Sequence, residues 1–138
     1  MGGSILILLD THVLVWLTQG SSEIGMAARE AANEALAREQ LAISGITFWE
    51  IAMLHRKQRL RVMQPLGAFR RDVLDMGVVE IPVNGEIGIE AATLMEMHSD
   101  PADRIIVATA SLTRSTLVTA DQRILEWRGP LRSIDARL

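Results

Sequence analysis

Ile5-Leu-Ile-Leu-Leu-Asp10-Thr is the stretch from which the fold reads: five apolar residues without a break, closed by an acid. A strand with one wet face alternates apolar and polar residues. An unbroken run marks a strand buried on both faces, and such strands belong to parallel sheets. An acid placed directly after it stands at the sheet's carboxyl edge, where open α/β sheets bind ligands. The same arrangement returns at Leu117-Val-Thr-Ala-Asp121, behind a strand expected over Ser115 to Thr119.

Outward from Asp10, helix-like and strand-like segments alternate to the end of the chain. A short apolar helix is expected from His12 to Thr18, closed by Gly20. Ile24 to Glu39 is amphipathic, with apolar groups at 24, 28, 31, 32, 35 and 36 opposite Arg29, Glu30, Asn33 and Glu34. Leu41 to Ile46 reads as a second strand. Thr47 reads as the cap of a helix whose inner face carries Phe48, Ile51, Ala52 and His55. Leu66, Phe69, Val73 and Met76 repeat at helical spacing, and Gly77 stops that helix. Val78 to Val83 is the third strand, and Asn84 caps a helix with Ile87, Ala91, Leu94 and Met95 inside. Asp100-Pro101 opens the next helix, Pro standing at the tolerated first position. Asp121 begins a short helix, and Leu131 to Ile134 is a fifth strand at the edge. Strand–helix alternation of this kind predicts an α/β fold: a parallel sheet of four to five strands covered by helices on both faces.

The chain has 138 residues, the size of one ordinary domain, and residues 1–138 are read as such. Met1-Gly-Gly-Ser4 reads as a flexible or vector-derived extension. The five apolar residues that follow are too few for a signal peptide or a membrane span. Half of the residues are apolar, which argues against disorder. Absence of cysteine removes disulfides, thiolate zinc sites and a cysteine nucleophile, and an intracellular protein is expected. A net charge of −3 excludes bulk binding of polyanions, so any nucleic acid must be gripped locally or through bound metal.

Four acids stand where elements change: Asp10, Glu50 in Thr47-Phe-Trp-Glu, Asp103 in Asp100-Pro-Ala-Asp-Arg, and Asp121. Each has a plain structural reading. Asp10, Asp100 and Asp121 precede helices and suit N-caps, Thr47-x-x-Glu50 matches a capping box, and Asp100-x-x-Asp103 resembles one. The set has a second reading. Acids gathered at one sheet edge repel one another and call for a divalent cation; several carboxylates with few other ligands suit Mg²⁺ or Mn²⁺.

Other chemistries lack their residues. His12, His55 and His98 show no zinc spacing, and no serine has the Gly-x-Ser-x-Gly setting. No Walker loop or dinucleotide fingerprint occurs. His12 replaces the second acid that an Asp-x-Asp phosphatase requires. Positive charge is densest at His55-Arg-Lys-Gln-Arg-Leu-Arg61. Arg56, Lys57 and Arg59 there either complement a helix C-terminus or hold a backbone phosphate, and Arg104 beside Asp103 does likewise or pairs with a carboxylate. The methionines and Trp16, Trp49 and Trp127 are read as core or subunit contacts.

Leu-Leu-Asp10-Thr-His, Ile-Ser-Gly-Ile-Thr-Phe-Trp-Glu50-Ile-Ala, Asp100-Pro-Ala-Asp103-Arg-Ile-Ile-Val-Ala-Thr-Ala and Leu-Val-Thr-Ala-Asp121, in this order and at these intervals, resemble the PIN domain. The likeness is strongest to the VapC-type toxins of VapBC toxin–antitoxin modules, and it covers nearly the whole chain. It implies a PIN-like (Rossmann-like) fold and a metal-dependent endoribonuclease, dimeric, cytoplasmic and held inactive by a small VapB-type antitoxin in a hetero-oligomer. It implies Asp10, Glu50, Asp103 and Asp121 as catalytic acids. Asp10, Asp103 and Asp121 would be metal ligands, Glu50 and Asp100 further candidates, with Thr11 and Thr119 as supporting hydroxyls. Two other outcomes stay open: an RNA-processing nuclease without an antitoxin, and a non-catalytic module whose acids are helix caps.

Overall fold

The computed structural model describes residues 5–138; the extension read over residues 1–4 lies outside them. The elements run β1 (Ile7–Leu9), α1 (Thr11–Thr18), α2 (Met26–Ala37), β2 (Leu41–Ser44), α3 (Ile46–Arg56), α4 (Leu66–Asp75), β3 (Val79–Ile81), α5 (Gly85–Thr93), α6 (Pro101–Thr113), β4 (Thr116–Thr119), α7 (Gln122–Leu125) and β5 (Arg132–Asp135). Five strands form one sheet in the order β3-β2-β1-β4-β5, and every pairing is parallel. The α/β sheet of four to five strands expected from the alternation is therefore present with five.

Register explains the two-sided burial. Leu8 lies beside Ala42 and Leu117, while Leu9 lies beside Ile43 and Val118. Successive side chains of a strand point to opposite faces. The first trio accordingly packs with Ile106, Val107 and Ala110 of α6 and Ile124 of α7. The second packs with Val13 and Leu14 of α1, Ala28 and Ala32 of α2, Ile51 of α3 and Val73 of α4. All six strand residues are inaccessible to solvent. Each buried leucine or isoleucine among them contributes about 1.5–3 kcal/mol by leaving water.

Strand order sets the position of the cleft. From β1 the chain goes to β2 on one side and later to β4 on the other, so connections diverge at the carboxyl end of β1. Asp10 sits there. Its backbone N–H continues the ladder by donating to the Val118 carbonyl (3.0 Å).

Element ends obey local chemistry with a few exceptions. Asn84 accepts from the Ile87 N–H at 2.9 Å and caps α5, as expected. Gly77, at φ +109°, ends the turn after α4 in a conformation that suits glycine. The helix expected over Ile24 to Glu39 begins at Met26, although Ile24 is buried, and ends at Ala37, two residues before Glu39, where φ is +59°. Thr47 is not an N-cap: α3 starts at Ile46, behind Gly45, and the Ser44 hydroxyl accepts the Ile46 N–H at 3.2 Å. His55, expected on the inner face of α3, is exposed. Trp49, Met26, Met63 and Met95 are exposed rather than core, Trp49 by 54%. Trp16 and Trp127 do pack against the two cores.

Candidate metal centre

Asp10 is fixed by both of its oxygens. Oδ1 accepts from the Thr11 N–H at 2.8 Å, which caps α1, and Oδ2 accepts from the Thr119 hydroxyl at 2.6 Å. Thr119 ends β4, the strand beside β1, and its oxygen also accepts the Asp121 N–H at 3.1 Å. One hydroxyl thereby ties Asp10 to the backbone of Asp121. Across the cleft, the Thr11 hydroxyl donates to Glu50 Oε1 at 2.5 Å and lies 3.3 Å from the Thr47 hydroxyl. The Thr47-x-x-Glu50 pair is thus no capping box. Both side chains turn inward, and Thr47 helps seat the hydroxyl that holds Glu50.

Asp103 lies in the first turn of α6, where the helix dipole favours a carboxylate. Asp100 caps that helix, accepting from Ala102 N–H (3.1 Å) and Asp103 N–H (3.3 Å). Asp121 caps α7 through the Arg123 N–H and forms an ion pair with the Arg123 guanidinium at 3.0 Å. Capping and clustering turn out to be compatible. Oxygens of Asp10, Glu50 and Asp103 lie within 4.8 Å of one another, and a second group within that limit joins His98, Asp103 and Asp121. The acids line one cleft of about 400 Å³, together with His12, Trp16, Leu54, Arg123 and Arg137.

Burial and like charge act together on these groups. Asp103 is pushed up to about 8, first by burial and then by the charges of Asp10, Asp100, Glu50 and Asp121. Asp10 is raised by burial against the pull of Thr119 and Thr11, and Glu50 by burial and by Asp10 and Asp100 against the Thr11 hydrogen bond. Asp121 goes the other way. Burial would raise it, but hydrogen bonds and charge from Arg123, with His98 beside them, hold it below its ordinary value. Three buried carboxylates within 4.8 Å of one another fit a hard divalent cation, which would offset the cost of burying their charges and their mutual repulsion. Among the described residues, Glu50 Oε2 and Asp103 Oδ1 accept no hydrogen bond, which leaves them available to such an ion.

A PIN domain model matches residues 7–129 of the chain. The chain belongs to the PIN domain family. This PIN domain is 30% identical over 125 residues to "Ribonuclease VapC22" of Mycobacterium tuberculosis, covering 90% of this chain and 93% of that protein. Its fold is shared by DNA-bound VapBC from Salmonella typhimurium (TM-score 0.69, 16% identity, 96% and 98% of the two chains). It is shared as well by VapBC2 from Rickettsia felis bound to a promoter DNA fragment (TM-score 0.68, 17% identity, 94% and 98%). The chain is of the VapC type.

The two basic regions of this PIN domain have different surroundings. Arg56, Lys57 and Arg59 are exposed and form no ion pair among the described residues. Arg56 and Lys57 border a depression with Trp49, Ala52 and Met53 that is separate from the acid-lined cleft. Arg104 is not free for a phosphate. Its guanidinium donates to the carbonyls of Ala91, Ala92, Leu94, Met97 and His98 at 2.8–3.3 Å, closing the C-terminus of α5 and pinning the following loop. A lysine cannot reach five acceptors from one ammonium. Arg104→Lys should therefore cost about 2 kcal/mol, lowering Tm by roughly 5–10 °C, with faster amide exchange over residues 94–98. Unchanged exchange there would contradict the pinning role.

Arg123 and Arg137, which line the cleft, and His98, which contacts Asp103, were missed from the sequence. His98 stands five positions before Asp103, a spacing with no motif. Arg123 is recognisable only as the second residue after Asp121.

Proposed function

We propose that this protein is a metal-dependent endoribonuclease, the toxin of a toxin–antitoxin pair, which hydrolyses RNA phosphodiesters with metal-activated water. Glu50 carries the reading. Capping accounts for Asp10, Asp100 and Asp121, but Glu50 lies within α3, buried, against Asp10 and Asp103, and in no ion pair among the described residues. Burying an unpaired carboxylate there is costly unless a cation shares it. A module whose acids serve only as caps leaves this charge unexplained.

Asp10, Glu50 and Asp103, whose oxygens lie within 4.8 Å of one another, would hold the ion, with Asp121, grouped with Asp103 and His98, and Asp100 at the cleft wall as further candidates. Mg²⁺ or Mn²⁺ suits an all-oxygen set of this kind. A bound ion would supply an activated water and offset charge on the phosphate oxygens. Thr119 keeps Asp10 in one orientation and Thr11 does the same for Glu50. Arg123 and Arg137, at the cleft wall, set positive charge where the RNA backbone enters. The exposed Arg56, Lys57 and Arg59 give a second contact for phosphate at and just beyond the C-terminus of α3.

The VapC-type relationship favours the toxin over an RNA-processing nuclease. It supports a small VapB-type antitoxin as the partner and a homodimer as the toxin's own assembly, and our reading places the toxin in the cytoplasm. No described helix is long and apolar enough to cross a membrane.

End-group analysis of a short RNA cleaved in Mn²⁺ should find 5′-phosphate and 3′-hydroxyl termini, and a chelator should stop the reaction. A 2′,3′-cyclic phosphate, or cleavage that persists in chelator, would contradict water activated by metal. Expression without antitoxin should arrest growth of a naive host; a processing nuclease should not.

A further inference from the structure

We infer that His98 is a positioning residue for Asp103: it holds one carboxylate oxygen so that the other faces the cleft, and cation uptake depends on that hold. The inference rests on the proposed reading of the acid cluster as a cation site. His98 Nε2 lies 2.8 Å from Asp103 Oδ2. Its Nδ1 is shut off from solvent and bonds nothing, so the contact through Nε2 is the ring's one polar interaction among the described residues. With the proton on Nε2, His98 donates to Oδ2 and Oδ1 keeps its lone pairs for the ion. The Arg123 guanidinium also lies 3.6 Å from Oδ2, but it is exposed and bonded to Asp121 at 3.0 Å; a carboxylate left with that contact alone can rotate about its side-chain bonds and must be ordered when the ion arrives.

The loop bearing His98 is built to keep the ring in place. Residues 94–100 lie between α5 and α6 and contain no regular element, and Glu96 there is at φ +57°. Arg104 nevertheless donates to Leu94, Met97 and His98 carbonyls, and the Trp127 indole N–H donates to the Met95 carbonyl at 2.9 Å. Arg104 directly follows Asp103. Adjacent residues of α6 therefore supply the carboxylate and the clamp on the loop that orients it. Hydrogen-bond partners behind metal ligands act this way generally, and their loss costs about 10–100-fold in metal affinity or activity.

Mn²⁺ uptake by the full chain, followed by the electron paramagnetic resonance of free and bound ion, tests the inference without relying on RNA cleavage. His98→Ala should weaken uptake by about 10–100-fold, with Tm close to that of the parent. His98→Gln can carry an amide N–H to the place of Nε2 and should restore most of the affinity. His98→Asn, whose amide falls short, should behave like the alanine variant. Equal affinity in the parent and His98→Ala would overturn the inference, as would a glutamine variant no better than asparagine. Asp10→Asn separates the two levels. If it loses Mn²⁺ while His98→Ala does not, the cation site stands and His98's role falls; if the parent takes up no Mn²⁺, both fall.

Discussion

Asp10→Asn should abolish RNA cleavage and leave a folded protein that is at least as stable as the parent without metal. The amide matches the carboxylate in shape: its oxygen can keep the Thr11 N–H, while its NH2 would donate to the Thr119 oxygen instead of accepting from it. What disappears is one charge from the group that holds the ion. Metal catalysis supplies several kcal/mol of transition-state stabilisation, and each 1.4 kcal/mol is tenfold in rate, so the loss should be about a thousandfold or more. Stability should move the opposite way, because the Asp10 charge is the largest electrostatic cause, after burial, of the rise in Asp103. Single-turnover cleavage and thermal melts in chelator check both halves. A variant that cleaves normally would remove Asp10 from the chemistry. One that melts well below the parent would show that the carboxylate is structural.

Without metal, the protein should lose stability as pH rises from about 5 to about 9, and divalent cations should reverse the trend. The sign follows from the direction of the shifts. Asp103 is raised from 3.8 to about 8, so the folded state binds the proton more tightly than the unfolded state does. Its stabilising effect is complete below the unfolded value and is lost as pH climbs through about 8. Asp10 and Glu50, also raised, act with the same sign. Asp121 is lowered and acts oppositely, its contribution being lost only as pH falls through the acid range. An ion binds the ionised acids and displaces their protons, so its affinity should increase with pH across the same window. At a concentration about 100 times its dissociation constant, the ion stabilises by about 2.7 kcal/mol, roughly 10 °C in Tm for a chain of this length. Melting curves from pH 5 to 9, in chelator and in Mn²⁺, give the result directly. Asp103→Asn should flatten the metal-free curve. A metal-free Tm that climbs with pH throughout would mean that the acids do not share a buried, repulsive site.

Strand and helix order was readable in the chain because local patterns carry it. Ile5 to Leu9 is unbroken and apolar as a doubly covered strand must be, Asn84 and Asp100-Pro101 mark helix starts by backbone chemistry, and Gly77 ends a helix where φ is positive. The acids at the sheet edge were visible for the same reason, since parallel strands place their ends together. Side-chain destinations across the cleft were not. Thr47 and Glu50 have the spacing of a capping box, yet the contact between Thr11 and Glu50, 39 residues apart, turns both inward. Arg104 beside Asp103 read as a phosphate ligand or a carboxylate partner, whereas five carbonyls from α5 and the next loop take its guanidinium. His98 had no motif, because its relation to Asp103 depends on how that loop folds back over α6. Local sequence sets backbone periodicity and caps through interactions a few residues long. Which charges meet, and which hydroxyl or guanidinium they find, is set by strand order and loop paths that bring distant segments to the same edge.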